Sequence, residues 1–236
     1  MDGLKLLCLH GWGTSGEFMK FQMETWVKKY PNTEFIFVNG VHKFPSLFSG
    51  DPDIIEFHGT DKQVYDNLAA SRGEILWPIN PKNPVTYYDI PEVDRLANII
   101  NDHKGVDGMF SFSQGGILLS LFVYHMELGL LNSILPKENR PYFALISGPP
   151  AGAPLKYQLK MPAQFMFGNL DKVTATAFIN LTRYQNAEYV FFEGGHRPPR
   201  LGRELYRKVN DFVAKAKVQK DKYRNTDSIL LSQAKL

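Results

Sequence analysis

Runs of aliphatic, aromatic and β-branched residues recur along the chain at 4–9 (LKLLCL), 34–38 (EFIFV), 106–111 (VDGMFS), 142–147 (YFALIS), 163–168 (AQFMFG) and 188–193 (EYVFFE). Each has the length and composition of a β-strand. Several are apolar at successive positions rather than alternating, so both faces of those strands are expected to be buried. Between most of them the apolar spacing changes to the helical one: 17–30 (EFMKFQMETWVKKY), 90–103 (IPEVDRLANIINDH), 117–128 (ILLSLFVYHMEL), 173–185 (VTATAFINLTRYQ) and 200–220. The segment at 90–103 opens with Pro91 and two acids, as helix starts favour. The segment at 117–128 is apolar nearly all round and predicts a buried helix.

Strands alternating with helices predict an α/β protein, with helices on both faces of a parallel sheet in a three-layer sandwich. One stretch breaks the rhythm. Residues 39–89, between the second and third strands, are irregular and rich in Pro, Gly, Asp and aromatics. So long an excursion in an α/β domain reads as a lid or part of a substrate pocket. The expected organisation is one domain over 1–219, containing this excursion, and a polar C-terminal tail over 220–236.

Composition changes this picture little. A chain of 236 residues with 44% hydrophobic residues can hold a sizeable core, and a net charge of +3 gives no reason to expect nucleic acid as a partner. Cys8 is the single cysteine and sits in an apolar strand pattern, which excludes an intrachain disulfide and a cysteine-built metal site. No stretch has the length of a membrane span, and the N-terminus shows neither a signal-peptide nor a myristoylation pattern. The expected location is therefore cytoplasmic. The alternative is the peroxisomal matrix, because Ala234-Lys235-Leu236 is a near relative of the Ser-Lys-Leu address. Oligomeric state is left open.

Ligand sites in parallel α/β sheets lie beyond the carboxyl ends of the strands. Three such ends carry chemistry: SFSQG with Ser113, GNLD with Asp171, and EGGH with His196. Serine, acid and histidine in that chain order are the order of the nucleophile-elbow hydrolases. A serine needs an adjacent base, an imidazole titrates near neutrality, and a carboxylate fixes the imidazole tautomer. The elbow requires small residues two before and two after the nucleophile; Gly115 meets the second condition and Ser111 approximates the first. Oxyanion donors are expected from the backbone N–H of Gln114 and of Trp12, the latter in the glycine-containing loop LHGWGTSG.

Rival assignments are weaker. Ser111 would be a crowded nucleophile, and Asp107 lies within its strand rather than beyond it. His42 and His58 fall in the excursion, His103 at a helix end and His125 in the buried helix, while His10 is expected to brace the oxyanion loop. No metal-ligand spacing, P-loop or dinucleotide fingerprint is present, so neither metal nor cofactor is expected.

The segments LLCLHGWGTSGEFMKFQ, ILWP, VDGMFSFSQGG, ISGPP, FMFGNLD and VFFEGGHRPP together resemble the FSH-type serine hydrolases of the α/β-hydrolase superfamily. The resemblance covers about residues 3–215. It implies an α/β-hydrolase fold with a six-stranded, mainly parallel sheet, Ser113 as nucleophile, His196 as base, Asp171 as acid, and Trp12 and Gln114 as oxyanion donors. The family usually reads G-F-S-Q-G at the elbow; this chain has Ser111 in place of the first glycine.

The expected activity is hydrolysis of carboxylic esters of small or lipid-like acyl groups through an acyl-enzyme. An acyl-CoA or acyl-carrier thioesterase is the alternative within enzymes, and an idle binding protein of the same fold is the alternative outside them. Phe44, Phe48, Trp77, Tyr87 and Tyr88 of the excursion are expected to wall the acyl pocket.

Overall fold

The computed structural model describes residues 1–11, 14–40, 91–149, 155, 157–173 and 177–225, and the backbone alone of 42–44 and 73–75. Six strands form one sheet: β1 (Lys5–Leu9), β2 (Glu34–Val38), β5 (Gly108–Phe112), β6 (Phe143–Ser147), β7 (Ala163–Gly168) and β8 (Ala187–Phe192). Their order is β2-β1-β5-β6-β7-β8 and every pairing is parallel. Two short strands inside the excursion, β3 (His42–Phe44) and β4 (Gly73–Ile75), pair antiparallel with each other.

The central strands β5, β6 and β7 are buried at every position, which is why their sequences run apolar without alternation. Helices cover both faces. On one side lie α3 (Pro91–Asp102), which buries Val93, Leu96, Ala97 and Ile100, and α4 (Gln114–Leu128). On the other lie α1 (Gly16–Gln22), α2 (Glu24–Lys29) and α5 (Arg203–Arg224), which buries Leu205, Val209, Phe212, Val213 and Ala216. Those spacings of three, four and seven are the one-face pattern of a helix.

The elements depart from the sequence expectation in three places. The helix expected over 17–30 is two helices joined at Met23, whose backbone (φ −93°, ψ 15°) leaves the α region. The break lets Met19, Met23 and Trp26 all reach the core. Of the helix expected over 173–185, the described residues show an α-helical Ala177, whose amide donates to the Val173 carbonyl, followed by a 3₁₀ helix at Phe178–Arg183. Its sequence is rich in β-branched residues, and the three-residue period sets Phe178 and Leu181 together against the core. The last helix, expected over 200–220, runs from Arg203 to Arg224, and its end is held: the Tyr223 hydroxyl donates to Glu127, and the Arg224 guanidinium donates to the carbonyl of Arg140.

Candidate active site

β5 ends at Phe112 and α4 begins at Gln114, so Ser113 alone makes the turn. Its φ of 50° and ψ of −119° are a conformation that side chains other than glycine rarely adopt. The turn is held from the adjacent strand, where the carbonyl of Ser147 accepts the Ser113 amide at 2.9 Å. Although Ser113 occupies the N-cap position, its hydroxyl makes no capping bond.

That hydroxyl lies 2.9 Å from His196 Nε2, and His196 Nδ1 lies 2.9 Å from Asp171 Oδ2. A carboxylate only accepts, so Nδ1–H donates to Asp171 and Nε2 is left to accept from Ser113. The Asp171 side chain is almost completely buried, and its other oxygen accepts the amide of Val173 at 2.8 Å. The His196 ring is partly open to solvent and packs on Phe112, with ring centroids 4.9 Å apart. Sequence order had proposed these three residues, and the fold brings them together. Asp107 lies elsewhere: its carboxylate accepts the amide of Lys5 at the opposite end of the sheet.

Two glycines make this proximity possible. A Cβ on Gly115 would stand 2.5 Å from the Leu9 carbonyl oxygen, so only glycine lets α4 press against the end of β1. Gly148 (φ 50°) passes beside Asp171 and His196, where a Cβ would be 3.0 Å from Asp171 Oδ2 and 3.3 Å from His196 Nδ1. Sequence reasoning used the ISGPP run only for the resemblance and gave Gly148 no role. The available signal was a Gly-Pro-Pro run directly after an apolar strand.

Gln114 opens the first turn of α4, where amide groups lack intrahelical partners and the helix dipole is positive. Its side chain is buried, and neither its oxygen nor its nitrogen has a hydrogen-bond partner among the described residues. Trp12 lies outside the described residues. The carbonyl before it in the chain, that of Gly11, accepts from His10 Nδ1–H at 2.7 Å and from the Thr14 hydroxyl at 2.8 Å. Burial lowers the His10 pKa to about 4, so its imidazole is neutral at physiological pH. Gly11 crosses close over the elbow, since a Cβ there would be 3.3 Å from the Ser113 Cβ.

Ser111 is fully buried in β5, and its hydroxyl finds no partner among the described residues. Cys8 is buried and its thiol pKa is raised by desolvation, as befits an inert core residue. His103 flanks Glu34 and His125 is buried within α4. Of the expected pocket residues, Phe44 is described by its backbone in β3, and Phe48, Trp77, Tyr87 and Tyr88 lie outside the described residues, as do Ala234-Lys235-Leu236. Among the described residues, no group of three or more His, Cys, Asp or Glu could hold a metal, and no helix is long and apolar enough to cross a membrane.

A sharp serine turn at the end of a parallel strand, with acid and histidine supplied by later strand ends, is the arrangement of the α/β-hydrolases. Solved structures of that fold align along nearly the whole chain. Esterase PE8 matches with a TM-score of 0.58 and 16% identity, over 91% of this chain and 93% of its own. A carboxylesterase from Mesorhizobium loti matches at 0.55 and 14%, over 91% and 90%. Acyl-protein thioesterase 2 of Zea mays matches at 0.54 and 12%, over 92% and 94%.

Within that class the chain belongs to the family described as Serine hydrolase (FSH1), which matches residues 1–206. A curated relative, an uncharacterized hydrolase of Schizosaccharomyces pombe, is 24% identical over 211 residues, covering 83% of this chain and 47% of the relative. The chain thus spans about half the length of that relative.

Proposed function

We propose that the protein hydrolyses carboxylic esters of small or lipid-like acyl groups through an acyl-enzyme at Ser113. The observation that carries this reading is the unbroken relay from Asp171 through His196 to a strained Ser113, two contacts of 2.9 Å each. Membership of a serine hydrolase family supports it. In the first half-reaction Ser113 Oγ attacks the substrate carbonyl carbon while its proton passes to His196 Nε2. Asp171 stabilises the imidazolium. The oxyanion forms against the N–H of Gln114 and that of Trp12, an interaction worth about 3 kcal/mol of barrier per donor. His196 then returns the proton to the departing alcohol. Water, deprotonated by the same histidine, attacks the acyl-enzyme, and the acid leaves with Ser113 restored.

The aromatic residues of the excursion, Phe44, Phe48, Trp77, Tyr87 and Tyr88, would line the acyl side of this site. A thioester substrate would follow the same steps with a thiol leaving group. Turnover of matched oxygen and thio esters separates the two. The decisive experiment is labelling with a fluorophosphonate: the wild-type protein is labelled, and Ser113→Ala abolishes the signal. Labelling that survives in Ser113→Ala and disappears in Ser111→Ala would overturn the assignment, and a folded wild-type protein that resists labelling would favour an idle binding protein.

A further inference from the structure

The nucleophile and the histidine come from separate elements, and the histidine stands on a segment without regular secondary structure, residues 193–202. This segment is tied down at both ends. Near its start, the Gly194 amide donates to Asn169 Oδ1 and the Leu170 amide donates to the Gly194 carbonyl, each at 3.0 Å. The Arg197 guanidinium folds back over Gly194 and donates to the Glu193 carbonyl at 2.9 Å. Further on, the Trp26 indole donates to the Pro199 carbonyl at 2.7 Å, and the Leu201 amide donates to the Thr25 hydroxyl at 3.1 Å.

The middle of the segment, where His196 sits, is reached from β6. Ser147 is the last residue of that strand and is fully buried. Its carbonyl accepts the amide of Ser113 at 2.9 Å, and its hydroxyl donates to the carbonyl of Arg197, the residue next to His196, at 3.1 Å. One side chain and its own backbone therefore touch the chain at the nucleophile and beside the base.

The geometry points to Ser147 as a positioning residue that sets the distance between Ser113 Oγ and His196 Nε2. The assignment rests on reading those two residues as nucleophile and base. Without the hydroxyl, the histidine segment keeps its end ties but loses the link to the strand that holds the elbow, and the imidazole can ride away from Oγ. Displacements of about 1 Å cost about a hundredfold in rate, and a partial one is expected to cost roughly tenfold.

The test uses the full chain and one reagent, a fluorophosphonate, whose maximal inactivation rate and half-saturating concentration are measured for wild type, Ser147→Ala, Ser147→Cys and Ser113→Ala, with thermal melts alongside. Ser147→Ala is expected to lower the maximal rate about tenfold and leave the half-saturating concentration within about twofold, because substrate contacts are intact. Ser147→Cys, close in shape but a weak donor, should fall between the two. A hydroxyl that only supports the fold would change the melting temperature while leaving the rate per folded molecule unchanged, and that result overturns the assignment. If Ser147→Ala does not fold, Ser147→Cys decides alone: a reduced maximal rate supports the assignment and a wild-type rate refutes it. Persistent labelling of Ser113→Ala would instead refute the catalytic reading itself, and the Ser147 assignment with it.

Discussion

Replacing Ser111 with alanine is expected to stabilise the protein without slowing it. Ser111 pairs with Leu9 of β1 on one side and Ile146 of β6 on the other, and it is fully buried. Alanine keeps the Cβ, the strand backbone and both ladders, and removes one hydroxyl that has no partner among the described residues. A buried, unsatisfied polar group costs about 1–3 kcal/mol relative to water. Against this stands the void left by one oxygen, on the order of 10–15 Å³, which at about 24 cal/mol per Å³ costs roughly 0.3 kcal/mol. The balance is a gain of about 1 kcal/mol, or about 2–4 °C in melting temperature for a domain of this size. Ser111→Gly, the residue usual in the family at this position, also removes the hydroxyl but adds backbone freedom to the unfolded chain, worth about 0.5–1 kcal/mol, and should end near wild type. Thermal melts of the three proteins at neutral pH, with fluorophosphonate labelling rates measured in parallel, give the comparison. A lower melting temperature for Ser111→Ala would refute the reasoning, because it would mean that the hydroxyl makes a stabilising bond.

Gly115→Ala should act in the opposite direction: its Cβ would lie 2.5 Å from the Leu9 carbonyl and 2.8 Å from that of His10, so α4 must retreat, at about 1–3 kcal/mol, with slower labelling because the Gln114 amide moves with the helix. An unchanged melting temperature would show that the contact is not tight. His10 predicts a pH dependence. Its pKa falls from 6.5 to about 4, first through burial and then through the nearby charge of Arg95, with the bond to the Gly11 carbonyl opposing both. The unfolded chain therefore binds a proton that the folded chain refuses, so this contribution is complete above about pH 6.5 and is lost as the pH falls toward 4, roughly 3 kcal/mol in all. His10→Asn, whose side-chain N–H can replace Nδ1–H, should flatten the stability profile between pH 4 and 6.5; identical slopes for the two proteins would contradict the assignment.

The central sheet was legible because burial on both faces writes itself into sequence as uninterrupted apolar runs, and β7, buried at every position, occupies the residues that pattern marks. The three residues were legible because a parallel sheet sends its strand ends to one side, so Asp171, beyond the end of its strand, was preferred to Asp107, which is not. What escaped was whatever depends on a single contact across the fold. Ser147 reads as a small residue tolerated in an apolar strand, and nothing local shows that its hydroxyl meets Arg197 fifty residues later. The break at Met23 escaped because apolar spacing continues through it. The 3₁₀ turn at Phe178–Arg183 escaped because spacings of three and four overlap over so short a segment.

The order of the relay along the chain has a consequence for biogenesis. His196 closes contacts that span 83 residues to Ser113 and 25 to Asp171, and it follows β8, the strand at the edge of the sheet. Chains emerge from the ribosome N-terminus first and domains fold as units. A nascent chain that has emerged only as far as the serine turn therefore still lacks His196, the proposed base, and would gain it only with the outermost strand. On the proposed reading, catalytic competence would report on the docking of β8: a product truncated before it would carry Ser113 without the histidine that is proposed to activate it.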